Sequence, residues 1–368
     1  MKLSQLANPR ILEHPTYQPG KPIELVAEEF GFQPQEVCKL ASNENPWGAS
    51  SLAIEAGCEA LKKVHLYPEG SGHALRKQLA GVHDLKEAQF VLGNGSNEII
   101  ELLGHVFLQP GDEVILGEHS FIVYKLVSLL FGAQPVSVEM PELTHDLNLM
   151  RDAVSERTKL IFLPSPNNPT GTANSKEQIF AFVRSLPDHV IFCFDEAYAE
   201  YLEHPADLRP LIHEGKKIIA LRTFSKIHGL ANLRIGYGYG SREMIDLLQQ
   251  ARQPFNANGI AQACAIAALQ DEEWVIQCRK RNLDGLDQLA QGFERLTLEF
   301  VPSQANFMLV KVGHAKRVFQ DLQRKGVITR PMAGSLENYL RISVGTEHEN
   351  DRALQALEEV LSFSMATI

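Results

Sequence analysis

A lysine stands directly after a short apolar run in the middle of the chain. Residues 218–221 read Ile-Ile-Ala-Leu, Ser225 and Lys226 follow, and Arg234 comes eight positions after the lysine. A single lysine is in most cases a solvated surface charge, which needs no such setting. A lysine that loses its proton can instead attack a carbonyl carbon and form a Schiff base. The nearby arginine could hold an anionic group of the same ligand.

Three further apolar runs also end in polar or aromatic residues. The runs cover residues 114–116, 160–163 and 191–194, and the residues that follow them include Phe121, Asn168, Asp195 and Tyr198. Ligands of open parallel sheets bind in the crevice beyond the carboxyl ends of the strands. If the runs are neighbouring strands, these side chains meet the lysine at one edge of a sheet.

A glycine-rich segment, which contains Gly93, Gly95, Ser96 and Asn97, precedes an apolar helical pattern. Glycines expose backbone N–H groups, and the beginning of a helix attracts anions, so the segment predicts a phosphate cradle. Taken alone, it could be an ordinary turn. In combination with the residues above, it indicates one ligand that carries both a phosphate and a reactive carbonyl.

Pyridoxal 5′-phosphate is the ligand that fits all of these residue types. Lys226 would form the Schiff base with its aldehyde, and Asp195 would pair with the protonated pyridine nitrogen. Tyr198 and Asn168 could donate hydrogen bonds to the 3-oxygen of the ring, and Phe121 would stack on its face. The phosphate would be held by Ser96, Asn97, Ser225 and Arg234. The predicted cofactor site also includes Gly95 and Thr223.

Composition and charge argue against several other classes of protein. The 368 residues carry a formal net charge of −10, whereas a nucleic-acid-binding surface needs a basic face. Five scattered cysteines without a C-x-x-C pair are typical of reduced thiols in a cytoplasmic protein. The sequence has no signal-peptide pattern, no apolar run long enough to cross a membrane and no metal-binding histidine spacing. We therefore expect a cytoplasmic protein without a metal.

The alternation of apolar runs with helical patterns, such as residues 122–131 and 176–185, predicts an α/β fold with a mostly parallel sheet between helices. Towards the C-terminus the pattern predicts a smaller α+β domain, with helices over 259–270, 272–290, 315–325 and 349–362 and strands over 298–300, 307–310 and 339–343. We expect three parts: an N-terminal segment (1–40) that belongs with the small domain and covers the site, a large cofactor-binding domain (41–255) and a small C-terminal domain (256–368).

Over nearly its whole length the chain resembles the fold type I pyridoxal-phosphate aminotransferases. The superfamily motifs are NPTG from Asn168, DEAY from Asp195, Ser225-Lys226 and Arg234. Motifs closer to the histidinol-phosphate aminotransferase family are YQPGKP from Tyr17, LASNENPWG from Leu40, LYPEG from Leu66, GNGSNE from Gly93, TFSKIHGLANLRIGY from Thr223 and LRISVGT from Leu340. The resemblance implies an aspartate-aminotransferase-like large domain with a sheet of the seven-stranded type.

The resemblance also implies roles for residues outside the predicted strand ends. Tyr67 matches a tyrosine that reaches the cofactor phosphate of the partner subunit, which implies a homodimer. Arg341 matches the arginine that binds the carboxylate of glutamate, and Arg330 matches a second arginine that meets the distal acidic group of the substrate. The implied substrate-binding residues are Tyr17, Asn45, Tyr67, Asn168, Arg330 and Arg341. At position 121 the family often has tyrosine, and this chain has Phe121.

The implied reaction is a two-step amino transfer in which Lys226 carries a proton between the substrate and the cofactor. In the biosynthetic direction of the histidine pathway, glutamate would donate its amino group to imidazole-acetol phosphate, which gives L-histidinol phosphate and 2-oxoglutarate. An aromatic-amino-acid aminotransferase and a phosphothreonine decarboxylase share this fold and several motifs, and both stay open at this point. A nucleotide-binding P-loop and a G-x-S-x-G hydrolase motif are absent from the sequence.

Overall fold

The computed structural model of the chain describes residues 2–16 and 20–365. Its β-strands are β1 (Cys38–Lys39), β2 (Phe90–Gly93), β3 (Glu113–Gly117), β4 (Gln134–Val138), β5 (Thr158–Pro164), β6 (Ile191–Asp195), β7 (Ile218–Thr223), β8 (Gly236–Gly240), β9 (Phe300–Val301), β10 (Phe307–Lys311), β11 (Val327–Ile328), β12 (Arg330–Pro331) and β13 (Tyr339–Ser343). Its α-helices are α1 (Pro9–Glu13), α2 (Ile23–Phe30), α3 (Ser51–Leu61), α4 (His73–His83), α5 (Ser96–Phe107), α6 (Ile122–Leu130), α7 (Leu147–Asp152), α8 (Lys176–Ser185), α9 (Arg209–His213), α10 (Arg242–Ala251), α11 (Gly259–Ala268), α12 (Glu272–Arg295), α13 (Ala315–Gln323) and α14 (Glu347–Met365).

A seven-stranded sheet forms the centre of the large domain. Its strand order is β2-β8-β7-β6-β5-β3-β4. Strand β8 runs antiparallel to both of its neighbours, and the other pairs are parallel. The predicted mostly parallel sheet of an α/β fold is confirmed. All four apolar runs that were predicted as strands lie next to one another in it, as β3, β5, β6 and β7.

The two faces of this sheet bury alternate residues of each strand, because successive side chains of a strand point to opposite faces. Along β6, Ile191 and Cys193 pack in one core together with Tyr124 of α6. Phe192 and Phe194 pack in a second core, on the other face. The runs are apolar without interruption because both faces are covered.

Local signals set the beginnings of the helices that cover the sheet. Ser175 caps α8 in a capping box with Gln178, and Ser241 accepts a hydrogen bond from the N–H of Met244 at the beginning of α10. Such caps satisfy N–H groups that have no partner inside the helix. Helix α5 differs, since no side chain caps it at Gly95 in the described structure.

The C-terminal part of the chain forms a separate four-stranded sheet with the order β12-β13-β10-β9, in which all pairs are antiparallel. Helices α12 and α14 contribute to the core beside it. The predicted α+β character of this domain is confirmed. Helix α11 packs with the core of the large domain through Ala261 and Ala265. The division of the chain at residue 255 stays a prediction.

The N-terminal part of the chain touches both domains. Strand β1 pairs in parallel with β11, and Val26 and Ala27 of α2 pack with Ile328. After α1, the His14 ring nitrogen Nε2 lies 2.9 Å from the carbonyl oxygen of Leu126 in α6. Among the helices of the described residues, none is long and apolar enough to cross a membrane. The same residues contain no group of His, Cys, Asp and Glu that could hold a metal ion.

Candidate active site

A cavity of about 240 Å³ opens at the carboxyl ends of the central strands. We call it the cofactor cavity. Ten of the residues predicted to bind the cofactor line it: Ser96, Asn97, Phe121, Asn168, Asp195, Tyr198, Thr223, Ser225, Lys226 and Arg234. The structure therefore brings together residues that lie up to 138 positions apart, from 96 to 234, at the sheet edge where parallel folds bind ligands.

One end of the cofactor cavity is rich in hydrogen-bond donors. The guanidinium group of Arg234 donates from Nη1 to the Ser225 hydroxyl at 3.1 Å and to the Ala231 carbonyl at 3.0 Å. The Thr223 hydroxyl lies 3.0 Å from Ser225 Oγ and accepts a hydrogen bond from the Ser225 N–H. These bonds fix the arginine beside the first turn of α5, where a helix end attracts a phosphate.

Gly95 makes room for that arginine. Its φ of +74° lies in the left-handed region, which glycine adopts without strain. A Cβ atom at this position would come within 2.4 Å of Arg234 Nη2. At Gly236, a Cβ atom would come within 2.5 Å of the Ser96 nitrogen. Glycines thus let backbone and guanidinium approach each other closely enough to surround a small anion.

Asp195 lies in the middle of the cofactor cavity and is buried. Tyr124 donates a hydrogen bond from its hydroxyl to Oδ2 at 2.6 Å, and the Ala197 N–H donates to Oδ1 at 3.0 Å. Burial raises the pKa of the Asp195 carboxyl, while these two hydrogen bonds and the charge of Lys226 oppose the shift. The carboxylate is therefore held in one orientation at the end of β6.

Lys226 lies beside Tyr198 and lines the cofactor cavity. Its Nζ atom is 3.4 Å from the Ser42 carbonyl oxygen and 5.6 Å from the centre of the Tyr198 ring. The Tyr198 hydroxyl accepts a hydrogen bond from Asn43 Nδ2 at 2.9 Å, so its own proton can be donated to a ligand. Ser343 of β13 donates to the Asn43 side-chain oxygen at 2.9 Å and so fixes the amide.

A second cavity of about 590 Å³ adjoins the first. We call it the substrate cavity. Both are lined by Ser42, Phe121, Asn168, Tyr198 and Lys226, so the lysine faces the two spaces at once. Arg330 and Arg341 line only the substrate cavity. They are paired opposite each other on β12 and β13, and residues opposite each other project on the same face of a sheet.

Arg341 is fixed in place by contacts on several sides. It donates from Nη2 to the Ala41 carbonyl at 2.6 Å and from Nη1 to Asn168 Oδ1 at 2.5 Å. Its guanidinium carbon lies 5.3 Å from the centre of the Phe307 ring. Because Asn168 accepts through its oxygen, its amide N–H₂ group is oriented to donate elsewhere. A donor at this point agrees with the predicted bond from Asn168 to the 3-oxygen of the cofactor.

Three of the predicted substrate-binding residues lie outside these two cavities or outside the described residues. Tyr67 is 84% exposed and stacks on Phe255, with ring centres 4.9 Å apart. Asn45 is buried and donates to the carbonyl of Ile227 at 2.7 Å, so its amide contacts the backbone next to the lysine. Tyr17 lies outside the residues that the structure describes. The substrate-binding roles of all three stay predictions.

Among the residues of the site that the sequence did not predict, two bond directly to predicted side chains. Tyr124 reaches Asp195 from α6, and Asn43 reaches Tyr198 from the segment after β1. Tyr124 follows Phe121 by three positions at the beginning of a helical pattern, which places both residues on one helix face. That spacing was a usable signal. Asn43 gave none, because it meets Tyr198 across 155 positions of the chain and no local spacing links the two residues.

Comparison with known proteins decides the family. The family model for aminotransferases of class I and II matches residues 35–357. The chain belongs to this family. It is 44% identical to histidinol-phosphate aminotransferase of Akkermansia muciniphila, over 98% of this chain and 100% of that protein. A crystal structure of histidinol-phosphate aminotransferase from Sinorhizobium meliloti in complex with pyridoxal-5′-phosphate superimposes with a TM-score of 0.89 at 25% identity, covering 97% of this chain and 98% of the other.

The fold is that of aspartate aminotransferase as well. The Thermus thermophilus aspartate aminotransferase with maleate superimposes with a TM-score of 0.81 at 24% identity, covering 96% of this chain and 99% of the other. The predicted resemblance, the fold type I architecture and the assignment as an aminotransferase that uses pyridoxal 5′-phosphate are confirmed. The cofactor cavity fits this group, since it offers an anion cradle at Gly95, a buried carboxylate, an aromatic side chain and a lysine.

Proposed function

We propose that this aminotransferase converts imidazole-acetol phosphate and L-glutamate into L-histidinol phosphate and 2-oxoglutarate, as a step of histidine biosynthesis. The observation that carries the proposal is the pair of arginines in the substrate cavity beside Lys226. The names of the relatives from Akkermansia muciniphila and Sinorhizobium meliloti support the same substrate.

The two arginines suit a site that must bind two different anions in turn. Glutamate brings a distal carboxylate, and histidinol phosphate brings a phosphate in its place. A guanidinium group forms paired hydrogen bonds with carboxylate and with phosphate alike. Arg330 and Arg341 are therefore the proposed shared anion site.

The other residues divide the work around the cofactor. Bound pyridoxal 5′-phosphate supplies the electron sink that makes the substrate's α-proton labile. Lys226, which faces both cavities, would accept that proton at Nζ and donate it again. Asp195 would place its negative charge at the pyridine nitrogen, and Tyr198 and Asn168 would donate to the 3-oxygen. Ser96, Asn97, Ser225 and Arg234 would hold the phosphate.

The enzyme is proposed to work as a homodimer in the cytoplasm. Tyr67 would reach the phosphate in the partner's cofactor cavity, because it is exposed and does not line the cofactor cavity of its own chain. Further apolar side chains are exposed near Tyr67 in the sequence or in contact with it: Leu52, Ile54, Leu61, Val64, Leu66 and Phe255. Exposed apolar side chains that together form one patch would be typical of a protein interface. The free thiols of all five cysteines agree with a reducing compartment.

The substrate assignment is tested by spectroscopy and kinetics on the purified enzyme with its cofactor. Addition of L-histidinol phosphate is expected to bleach the yellow band of the bound cofactor, and 2-oxoglutarate is expected to restore it. Steady-state rates with 2-oxoglutarate are compared for L-histidinol phosphate, L-phenylalanine and O-phospho-L-threonine. A higher kcat/KM for phenylalanine, or release of carbon dioxide from phosphothreonine, would contradict the proposal.

The dimer is tested by mixing two impaired variants. Lys226→Ala lacks the catalytic amine, and Tyr67→Ala lacks the side chain that is lent to the partner. Co-expressed subunits form mixed dimers in which one site has both residues, so activity should exceed that of either variant alone. Activity that stays at the level of the two separate variants would contradict a shared site.

A further inference from the structure

The side chain of Tyr124 is held in one orientation by its neighbours, although it has no proposed contact with the reacting atoms. It lies in the first turn of α6 and is fully buried. Its ring stacks on Phe162 of β5, with ring centres 4.5 Å apart and planes 5° from parallel, and Phe121 meets its ring edge-on with centres 5.7 Å apart. These contacts fix the direction in which the hydroxyl points.

That hydroxyl points at the carboxylate of Asp195. The distance of 2.6 Å between Tyr124 Oη and Asp195 Oδ2 is that of a strong, charge-assisted hydrogen bond. Burial raises the pKa of the Tyr124 phenol well above its usual value, so the hydroxyl keeps its proton and always acts as the donor. A donor stabilises the ionised form of a carboxylate, which burial would otherwise disfavour.

We propose that Tyr124 is a positioning residue that keeps Asp195 ionised and directs its carboxylate into the cofactor cavity. Asp195 then always offers a negative charge and a fixed acceptor to a protonated pyridine nitrogen. The inference rests on the role proposed above for Asp195. It adds a residue from α6, the helix that also carries Phe121 at its beginning, so that one helix sets both the ring stacking and the charge.

Other titratable groups also act on the Asp195 carboxyl or on the Tyr124 phenol and must be considered together. They come from β6, from the segment that follows it and from the segment after β7: Cys193, Glu196, Tyr198 and Lys226. Glu196 raises the pKa of Asp195, and Lys226 lowers it. The Tyr124 hydroxyl is the side-chain donor in direct hydrogen-bond contact with the carboxylate among these groups. Its removal is therefore expected to raise the pKa of Asp195 and so to favour the protonated, neutral form.

The test compares Tyr124→Phe with wild type by cofactor binding rather than by activity alone. The cofactor-free proteins are titrated with pyridoxal 5′-phosphate and with 1-deazapyridoxal 5′-phosphate, which lacks the ring nitrogen. Wild type should prefer the natural cofactor, and the preference should shrink by about tenfold in Tyr124→Phe, the effect of losing one charge-assisted hydrogen bond. An unchanged preference in Tyr124→Phe would overturn the proposal.

Two further variants separate the possible outcomes. Asp195→Asn should lose the preference completely; if it keeps the preference, the role of Asp195 itself fails. If Asp195→Asn loses the preference and Tyr124→Phe keeps it, only the role of Tyr124 fails. Ser128→Ala is the matched control, because Ser128 donates to the Tyr124 carbonyl at 2.7 Å in the same helix without touching Asp195. It should behave as wild type.

A pH series distinguishes a change in charge from general loosening of the site. In Tyr124→Phe the pKa of Asp195 rises, so the loss of kcat should be greatest at low pH and should diminish as the pH increases. A loss that is equal at every pH contradicts the proposal. If Tyr124→Phe does not fold, Phe162→Leu replaces it: the hydroxyl remains, but the ring that fixes its direction is gone. A smaller reduction of the cofactor preference is then expected, and no reduction overturns the proposal.

Discussion

The cofactor cavity and the substrate cavity are built in different ways. Most residues of the cofactor cavity follow strands of one sheet, and several of their polar atoms bond to neighbouring side chains, as in the Tyr124–Asp195 and Arg234–Ser225 pairs. The substrate cavity collects residues from distant parts of the chain, between Pro15 and Arg341. The first is therefore formed mainly at the strand ends of one sheet, whereas the second depends on contacts between elements far apart in the sequence.

Substitution of Lys226 is expected to have the largest effect on activity, because this residue faces both cavities. We expect Lys226→Ala to reduce kcat by about 10⁴-fold, since among the residues that the structure describes no other amine lines either cavity to move the proton. Single-turnover spectra after addition of L-histidinol phosphate measure the effect. Lys217→Ala, which removes an exposed lysine just before β7, serves as the control and should keep full activity. A loss below about tenfold in Lys226→Ala would show that another base carries the proton.

Substitution of Arg341 tests whether substrate binding can be weakened without a change in cofactor binding. Arg341→Ala is expected to lower kcat/KM for glutamate by about 100-fold, mainly through KM, because a charge-assisted contact to the carboxylate is lost. The visible absorption of the bound cofactor should change little. Arg324→Ala removes an exposed arginine of the same domain that pairs with Asp321, and it should have no effect. An unchanged KM in Arg341→Ala would contradict the assignment of the anion site.

Substitution of Gly95 tests the opposite case, in which cofactor binding is weakened without a change in substrate binding. Gly95→Ala combines a strained φ of +74° with a Cβ atom 2.4 Å from Arg234 Nη2. We expect affinity for pyridoxal 5′-phosphate to fall by about 30-fold, while KM for glutamate at saturating cofactor stays constant.

A matched control for this change is Gly215→Ala. Gly215 has a φ of +86°, but within the described part of the chain no heavy atom other than those of its two chain neighbours lies within 4 Å of a Cβ placed there. Gly215→Ala has the same kind of backbone strain as Gly95→Ala, but its Cβ atom does not collide with a functional group. It should therefore lower the stability of the protein without weakening cofactor binding. Equal losses of cofactor affinity in the two variants would mean that strain alone explains the effect at Gly95.

The smallest effect is expected at Tyr67. Tyr67→Phe removes one neutral hydroxyl and keeps the ring that stacks on Phe255, so the dissociation constant of the cofactor should rise only about fivefold. Equilibrium titration of the cofactor-free dimer measures it. Tyr339→Phe, on the small-domain sheet, is the control and should leave the constant unchanged. A constant unchanged in Tyr67→Phe would remove the hydroxyl from the proposed contact with the partner's phosphate.

The sequence predicted the cofactor cavity more completely than the substrate cavity, for a physical reason. Each cofactor residue lies close to an apolar run, and the carboxyl ends of adjacent parallel strands must meet, so positions such as Asn168 and Lys226 could be placed together from their spacing alone. The predicted large sheet and the C-terminal α+β pattern also emerged from periodicity. The predicted strand over 298–300 is observed as the two-residue strand β9, because a short edge pairing carries little periodic signal.

The remaining contacts depend on packing between distant elements. Nothing in the local sequence shows that Ser343 and Asn43 meet at a hydrogen-bonding distance of 2.9 Å, since they are 300 positions apart. The same holds for the opposite placement of Arg330 and Arg341, which follows from the register of β12 and β13. Family resemblance supplied these two arginines, and the spacing of residues alone could not.

Asp195 and Glu196 are consecutive carboxylates with opposite surroundings. Asp195 turns towards Tyr124 on one side of the sheet, while Glu196 receives the Arg222 guanidinium at 3.1 Å and the Tyr239 hydroxyl at 2.7 Å on the other. Inserting one residue within β6 would turn each of the two acids to the opposite face of the sheet. Asp195 would then be buried without its partner Tyr124, and the cofactor cavity would lose the Asp195 carboxylate. An insertion in the loop that precedes β6 would leave both in place. Insertions are therefore compatible with the site in the loop before β6, but not within the strand itself.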